Sequence, residues 1–299
     1  MAYEEFIPQP FRPVSLKRIQ QANDIIAEYQ ADGLTLTLRQ PYYQFVARGL
    51  LENKQRNYDA LGDTISKARL GGMVDWDAIE DRTRFLRGRR NSHSPSTALT
   101  GLSYRYSIDM WANQATRVEV WIEKDALLGV IDRVCNQNDV DYFACRGYVS
   151  QSELYAAGKR MADYHDRSYD TVVIHLGDHD PSGIDMTRDN DERLCMFAGG
   201  HVEIRRIALN MDQIRTYNPP PNPTKLTDSR APEYVATHGY ESWELDALEP
   251  RVLRDLIQGV IDEYKDPDLW QEREDLLASD RAVLRSVIAK AAEDEEDRD

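Results

Sequence analysis

Three carboxylates in this chain are spaced to hold a hard cation. Glu123 closes a short apolar run at 118–122, and Asp178 and Asp180 follow a second run at 171–176. Both runs are β-branched and lead directly through acidic residues into helical spacing, the pattern of buried parallel strands in an α/β unit. In open parallel sheets the ligand crevice lies beyond the carboxyl ends of the strands. The three side chains are therefore expected to meet on one rim of one sheet. Mg²⁺ takes oxygen ligands and binds through one or two carboxylates plus a substrate phosphate, which it polarises and orients. A D-x-D after a strand is, on its own, a turn with two helix-capping acids. The glutamate ending the preceding strand turns the reading towards a metal site. His179, between the aspartates, is not a ligand such chemistry calls for.

Other residues could serve phosphate chemistry nearby. Pro181-Ser182-Gly183 turns tightly into a helix whose first amides favour anions. Arg146, in Arg146-Gly147-Tyr148 after the middle strand, either aims a guanidinium at a phosphate or is a surface arginine beside a turn. Arg82, Arg84, Arg87, Arg89 and Arg90 form a basic cluster in a protein of net charge −15. That total argues against nonspecific coating of nucleic acid, whereas a local basic patch is compatible with metal-assisted contact.

The elements that position these groups read as follows. Residues 1–14 form an arm. Ile19, Ala22, Ile25, Ile26 and Tyr29 mark one face of a helix ending near Asp32-Gly33. A second helix starts near Thr37, where Thr37 and Gln40 fit a capping box, or at Gln40 with Pro41 in its first turn. Leu38, Tyr42 and Phe45 point inward, which rotates Tyr43 towards the edge. Asn53 is placed to cap a third helix, with Tyr58, Leu61, Ile65 and Ala68 inward and Arg56, Asp63 and Lys67 outward. Three helices and a turn-bearing segment suggest a winged helix-turn-helix, the alternative being a plain three-helix bundle. The polar stretch 91–101 is the best linker, and the second domain alternates strands with helices.

No run approaches the roughly 20 apolar residues of a membrane helix, and residues 1–13 do not read as a secretory signal. Cys135, Cys145 and Cys195 are spaced for neither a disulfide framework nor zinc, and are expected to be reduced. The expected location is cytoplasmic. Six acids in the last nine residues read as a solvated tail.

The segments VEVWIEKDAL, RGYVSQSEL and GDHDPSGIDM resemble the TOPRIM domain of the topoisomerase VI A subunit and its relative, the meiotic double-strand-break protein. TLRQPYYQFVARGLL is similar to that family's CAP-like winged-helix segment, and IALNMDQIRTYN, LTDSR and WELDAL to the tail of its TOPRIM region. The likeness spans residues 34–248, in a length closest to compact stand-alone forms.

It implies an α/β architecture: a winged-helix (CAP-like) domain over 15–90, a linker over 91–110, a Rossmann-like TOPRIM domain with a parallel sheet over 111–265, and a C-terminal helix with an acidic tail over 266–299. It also implies Glu123, Asp178 and Asp180 as Mg²⁺ ligands and Tyr43 as the nucleophile, forming a 5′-phosphotyrosyl link to double-stranded DNA. In the family the tyrosine of one protomer works with the metal site of the other, so a homodimer would cut both strands. Arg39, one turn before Tyr43, is placed to help a phenol whose ordinary pKa is about 10. Arg56, Lys67, Arg82, Arg84, Arg87 and Arg146 are the expected DNA contacts. Strand passage would need a separate B-like subunit carrying a GHKL ATPase. Pro41, immediately before the tyrosines, departs from the family pattern. Two alternatives stay open: a TOPRIM nuclease using metal-activated water, and a noncatalytic DNA-binding partner. Glu244 and Asp246 are read as structural.

Overall fold

The computed structural model describes residues 3–33, 36–79 and 92–296. In chain order the helices and strands are α1 (Pro13–Ala31), α2 (Arg39–Ala47), α3 (Gln55–Leu70), α4 (Pro95–Arg105), β1 (Thr116–Ile122), α5 (Leu128–Gln137), β2 (Asp141–Ala144), α6 (Gln151–Asp166), β3 (Asp170–Leu176), α7 (Pro181–Ala198), β4 (Glu203–Ala208), α8 (Met211–Tyr217), β5 (Asn222–Pro223), α9 (Ala231–His238), β6 (Glu241–Ser242), α10 (Pro250–Tyr264) and α11 (Pro267–Glu296).

β1 to β4 form one parallel sheet in the order β2-β1-β3-β4, with Ile122 level with Leu176 at its carboxyl rim. Successive side chains of a strand face opposite ways, and the sheet is buried on both sides accordingly. Val118, Val120, Ile122, Val172 and Ile174 pack with α5 and α10, while Trp121 and Val173 pack with α6 and α7. Connections from β1 and β3 diverge to opposite sides of the β1–β3 seam. That seam is the switch point where a crevice opens in sheets of this kind.

α1, α2 and α3 enclose a second core around Ile25, Tyr29, Phe45 and Ile65. The expected wing would run through residues 80–91, which lie outside the described ones, as do Arg82, Arg84 and Arg87. What is shown is the coarser architecture, a mixed α/β fold with a four-stranded parallel sheet. Among the described residues, no helix is long and apolar enough to cross a membrane.

Three local expectations are corrected. Asn53 does not cap α3, whose N-cap is Lys54. Instead it accepts a hydrogen bond from the Tyr42 hydroxyl (3.2 Å) and donates one to Asn222 (2.8 Å). A 3₁₀ turn, Asp125–Leu127, separates β1 from α5 where a continuous helix is expected. The stretch 91–101 holds most of α4, capped by Ser94 and packed against α11.

Candidate active site

The two acidic segments meet because β1 and β3 are neighbours in register. The Glu123 amide donates to the Leu176 carbonyl at 2.8 Å, and the Glu123 carboxylate accepts from the Asp178 amide at 2.8 Å. Asp178 Oδ1 accepts from the Leu245 amide at 2.7 Å and pairs with Lys124 Nζ at 3.0 Å. Asp180 caps α7, accepting from the Gly183 amide (2.6 Å) and the Ser182 hydroxyl (2.9 Å). The loop is close-packed: a Cβ on Gly183 would fall 2.2 Å from the Asp178 carbonyl oxygen. Beneath it, the Arg206 guanidinium donates to the carbonyls of Gly177, Asp178, Gly183 and Leu209 at 2.7–3.1 Å. Burial lowers Arg206 to about 10, against the pull of Glu123, Asp178 and Asp180.

Burial, then the charge of Asp178, pushes the Glu123 pKa up to about 7. Burial pushes Asp178 up to about 6, partly offset by Lys124. Hard oxygen donors that give up protons reluctantly for want of positive charge are a set a divalent cation suits. Among the described residues, no three such donors are already arranged as a coordination shell. Each carboxylate is engaged by the protein itself, through an amide, a hydroxyl or Lys124.

The second half of the site comes from α2, which lies on the 3₁₀ turn Leu245–Ala247. Arg39 pairs with Glu244 at 3.0 Å and Asp246 at 3.2 Å. Lys124 reaches the same two acids at 2.9 and 3.1 Å. Burial alone would weaken the hold of Lys124 on its proton, but Asp246, Asp178 and Glu244 more than reverse this. Despite its burial, Glu244 is kept below the usual carboxylate range by Lys124 and Arg39.

Tyr43 sits against this network. Its expected position at an edge is corrected: it is only 3% exposed, as buried as Tyr42. Burial, then Asp246 and Glu244, raises its pKa, and Arg39 and Lys124 oppose the rise. A cleft of about 590 Å³ is lined by Arg39, Tyr43, Lys124, Asp178, Asp180 and Glu244 among others. Tyrosine, guanidinium, ammonium and carboxylates thus face one space, which can hold a phosphodiester, neutralise it and present a hydroxyl to it.

Of the expected DNA contacts, Arg56 and Lys67 are exposed on α3. Arg146 is 70% exposed and pairs with Asp125 at 2.9 Å. None of these three lines the cleft. His179 is a packing residue: it is 2% exposed, its ring nitrogen meets the Tyr234 hydroxyl at 2.8 Å, and burial lowers it to about 4.

Lys124, Glu244, Asp246 and Arg206 escaped the sequence reading. Lys124 adjoins Glu123, and an acid-base doublet ending a strand was the available signal. WELDAL is where the reading erred: Glu244 lines the cleft, and both of its acids are paired there with Lys124 and Arg39. Comparison with protein families, curated proteins and solved structures finds no match to this chain.

Proposed function

We propose that this chain is a magnesium-dependent DNA-cleaving enzyme of the topoisomerase VI A type, with Tyr43 as nucleophile. One observation carries the reading: α2 brings Arg39 and Tyr43 into the same cleft as Asp178 and Asp180, more than 130 residues away in sequence. Glu123, Asp178 and Asp180 would hold the metal, which when bound stabilises charge on the non-bridging phosphate oxygens. Arg39 and Lys124 flank the phosphate and favour the phenolate. The Tyr43 oxygen–phosphorus bond forms and the bond to the 3′ oxygen breaks. The phenol gives up its proton and the departing oxygen gains one, leaving a 5′-phosphotyrosyl enzyme and a 3′-hydroxyl. Double-stranded DNA as substrate, a homodimer, and a B-like GHKL ATPase partner for strand passage belong to the same proposal.

A second reading, hydrolysis by metal-activated water, is favoured by the burial of Tyr43 and its tightly held proton. Supercoiled DNA incubated with protein and Mg²⁺ and stopped with SDS separates the two. The tyrosine reading expects protein attached to 5′ ends, and expects Tyr43→Phe to abolish both attachment and cutting. Cutting that survives Tyr43→Phe would favour hydrolysis. Cutting indifferent to Glu123→Gln would remove the metal site from either scheme.

A further inference from the structure

We propose that each chain carries a whole cleavage site, so that Tyr43 works with Glu123, Asp178 and Asp180 of its own chain. This rests on the tyrosine reading above and departs from the shared-site arrangement that the family resemblance implies.

The helix bearing Tyr43 is fastened to its own sheet unit at several separate points. Arg39, one turn before Tyr43, is bound to Glu244 and Asp246, and Lys124 ties both acids to Asp178. The chain of contacts from the tyrosine helix to the carboxylate rim is therefore unbroken within one molecule. Ala247, from the turn under α2, belongs to the same apolar core as Phe45 and Leu61. Asn53 holds Asn222 at 2.8 Å, Arg133 donates to the Asp32 carbonyl at 2.6 Å, and Arg251 donates to the Glu28 carbonyl at 3.1 Å and pairs with Asp32.

Handing Tyr43 to a second copy would break these contacts together. It would leave Asp246, whose side chain is 1% exposed, and Glu244 opposite Lys124 alone. Buried carboxylates stripped of one of two cations are costly. Keeping Tyr43 at home requires none of this. It follows that each strand is cut without help from the other chain's tyrosine, and nicks should accumulate before double-strand breaks.

Mixed dimers of differently tagged chains test the assignment. When Tyr43→Phe is paired with Glu123→Gln, neither chain has an intact own-chain site, so adduct formation should fall about 100-fold or more. When wild type is paired with the double variant Tyr43→Phe, Glu123→Gln, one intact site remains. Adduct should then form at about half the wild-type rate, on the wild-type tag only. The reverse pattern, with the first pair active and the second inactive, overturns the proposal. If the protein runs as a monomer, adduct formed by that monomer supports it, and adduct appearing only with dimer overturns it.

A metal-free measurement stands apart from activity. In Arg39→Lys, a zero-length carbodiimide should join residue 39 to residue 244 or 246 within the monomer-size band. Finding that cross-link only in a dimer-size band overturns the proposal. Failure of the underlying reading looks different: wild-type protein would give no adduct, or Tyr43→Phe would still cut, while the cross-link would still report which chain Tyr43 faces.

Discussion

Glu123 and Asp178 hold protons more tightly in the folded chain than carboxylates in water do, with pKa values near 7 and 6 against ordinary values of 4.5 and 3.8. Because the folded state binds the extra protons, these groups favour folding at low pH, and that contribution is lost as pH rises through the window. Glu123→Gln, which cannot ionise, should therefore melt above wild type at about pH 8, by about 2–4 °C for each kcal/mol of relieved repulsion. The difference should vanish near pH 4.5, where the wild-type residue is itself protonated. Melting curves at the two pH values check this. The same protons compete with the cation, so half-saturating Mg²⁺ should climb as pH drops below about 7, by up to about tenfold per unit per displaced proton. Calorimetric titration in buffers of different ionisation enthalpy reads both the affinity and the protons released. Glu123, Asp178, Asp180, Tyr43 and Arg39 were legible in the sequence, because strand ends and helix turns fix where such residues go. Lys124 was not singled out, because its partners Glu244 and Asp246 lie 120 and 122 residues away and only tertiary folding unites them.

Among the elements, the loop from β3 into α7 is the most exacting. Gly183→Ala would drive a methyl into the Asp178 carbonyl, so the loop must shift and the two aspartates with it. Its expected cost is about 1–3 kcal/mol of stability, with magnesium affinity lower by about tenfold or more. Gly158→Ala is the matching control. There a Cβ would meet the Phe197 Cβ at 2.4 Å where α6 crosses α7. Stability should fall by a similar amount, about 1–3 kcal/mol, with magnesium affinity unchanged. Denaturant melts and metal titrations on both variants would decide it. Apolar periodicity made all four sheet strands readable, because a strand buried on both faces is nearly continuous in hydrophobic residues. Asn53 misled because its side chain serves Tyr42 and Asn222, a competing use that local spacing does not display. Tyr43 misled for a related reason: the face of α2 that a lone helix would turn to solvent is covered by the turn at 245–247.

For the molecule as a whole, the net charge of −15 makes any approach to DNA depend on where the cations sit. Arg82, Arg84 and Arg87 are the sequence-level candidates for that work. Replacing all three by glutamine should weaken binding at low salt and reduce the slope of log affinity against log salt by about 0.9 for each phosphate left without its arginine. Fluorescence anisotropy across a salt series measures it, and an unchanged slope would remove these arginines from the interface. The other long-range feature is the return of α11 to α4. Tyr106 bonds Asp280 at 2.7 Å, Arg281 donates to the Tyr106 carbonyl at 3.2 Å, and Arg273 donates to the Asp109 carbonyl. α4 has no buried residue of its own, so its helical state is borrowed from the far end of the polypeptide. Clipping that terminal rod away should turn the stretch ahead of β1 into a slack tether. The joint between the two halves of the protein would loosen without a single change in the chemistry at the cleft.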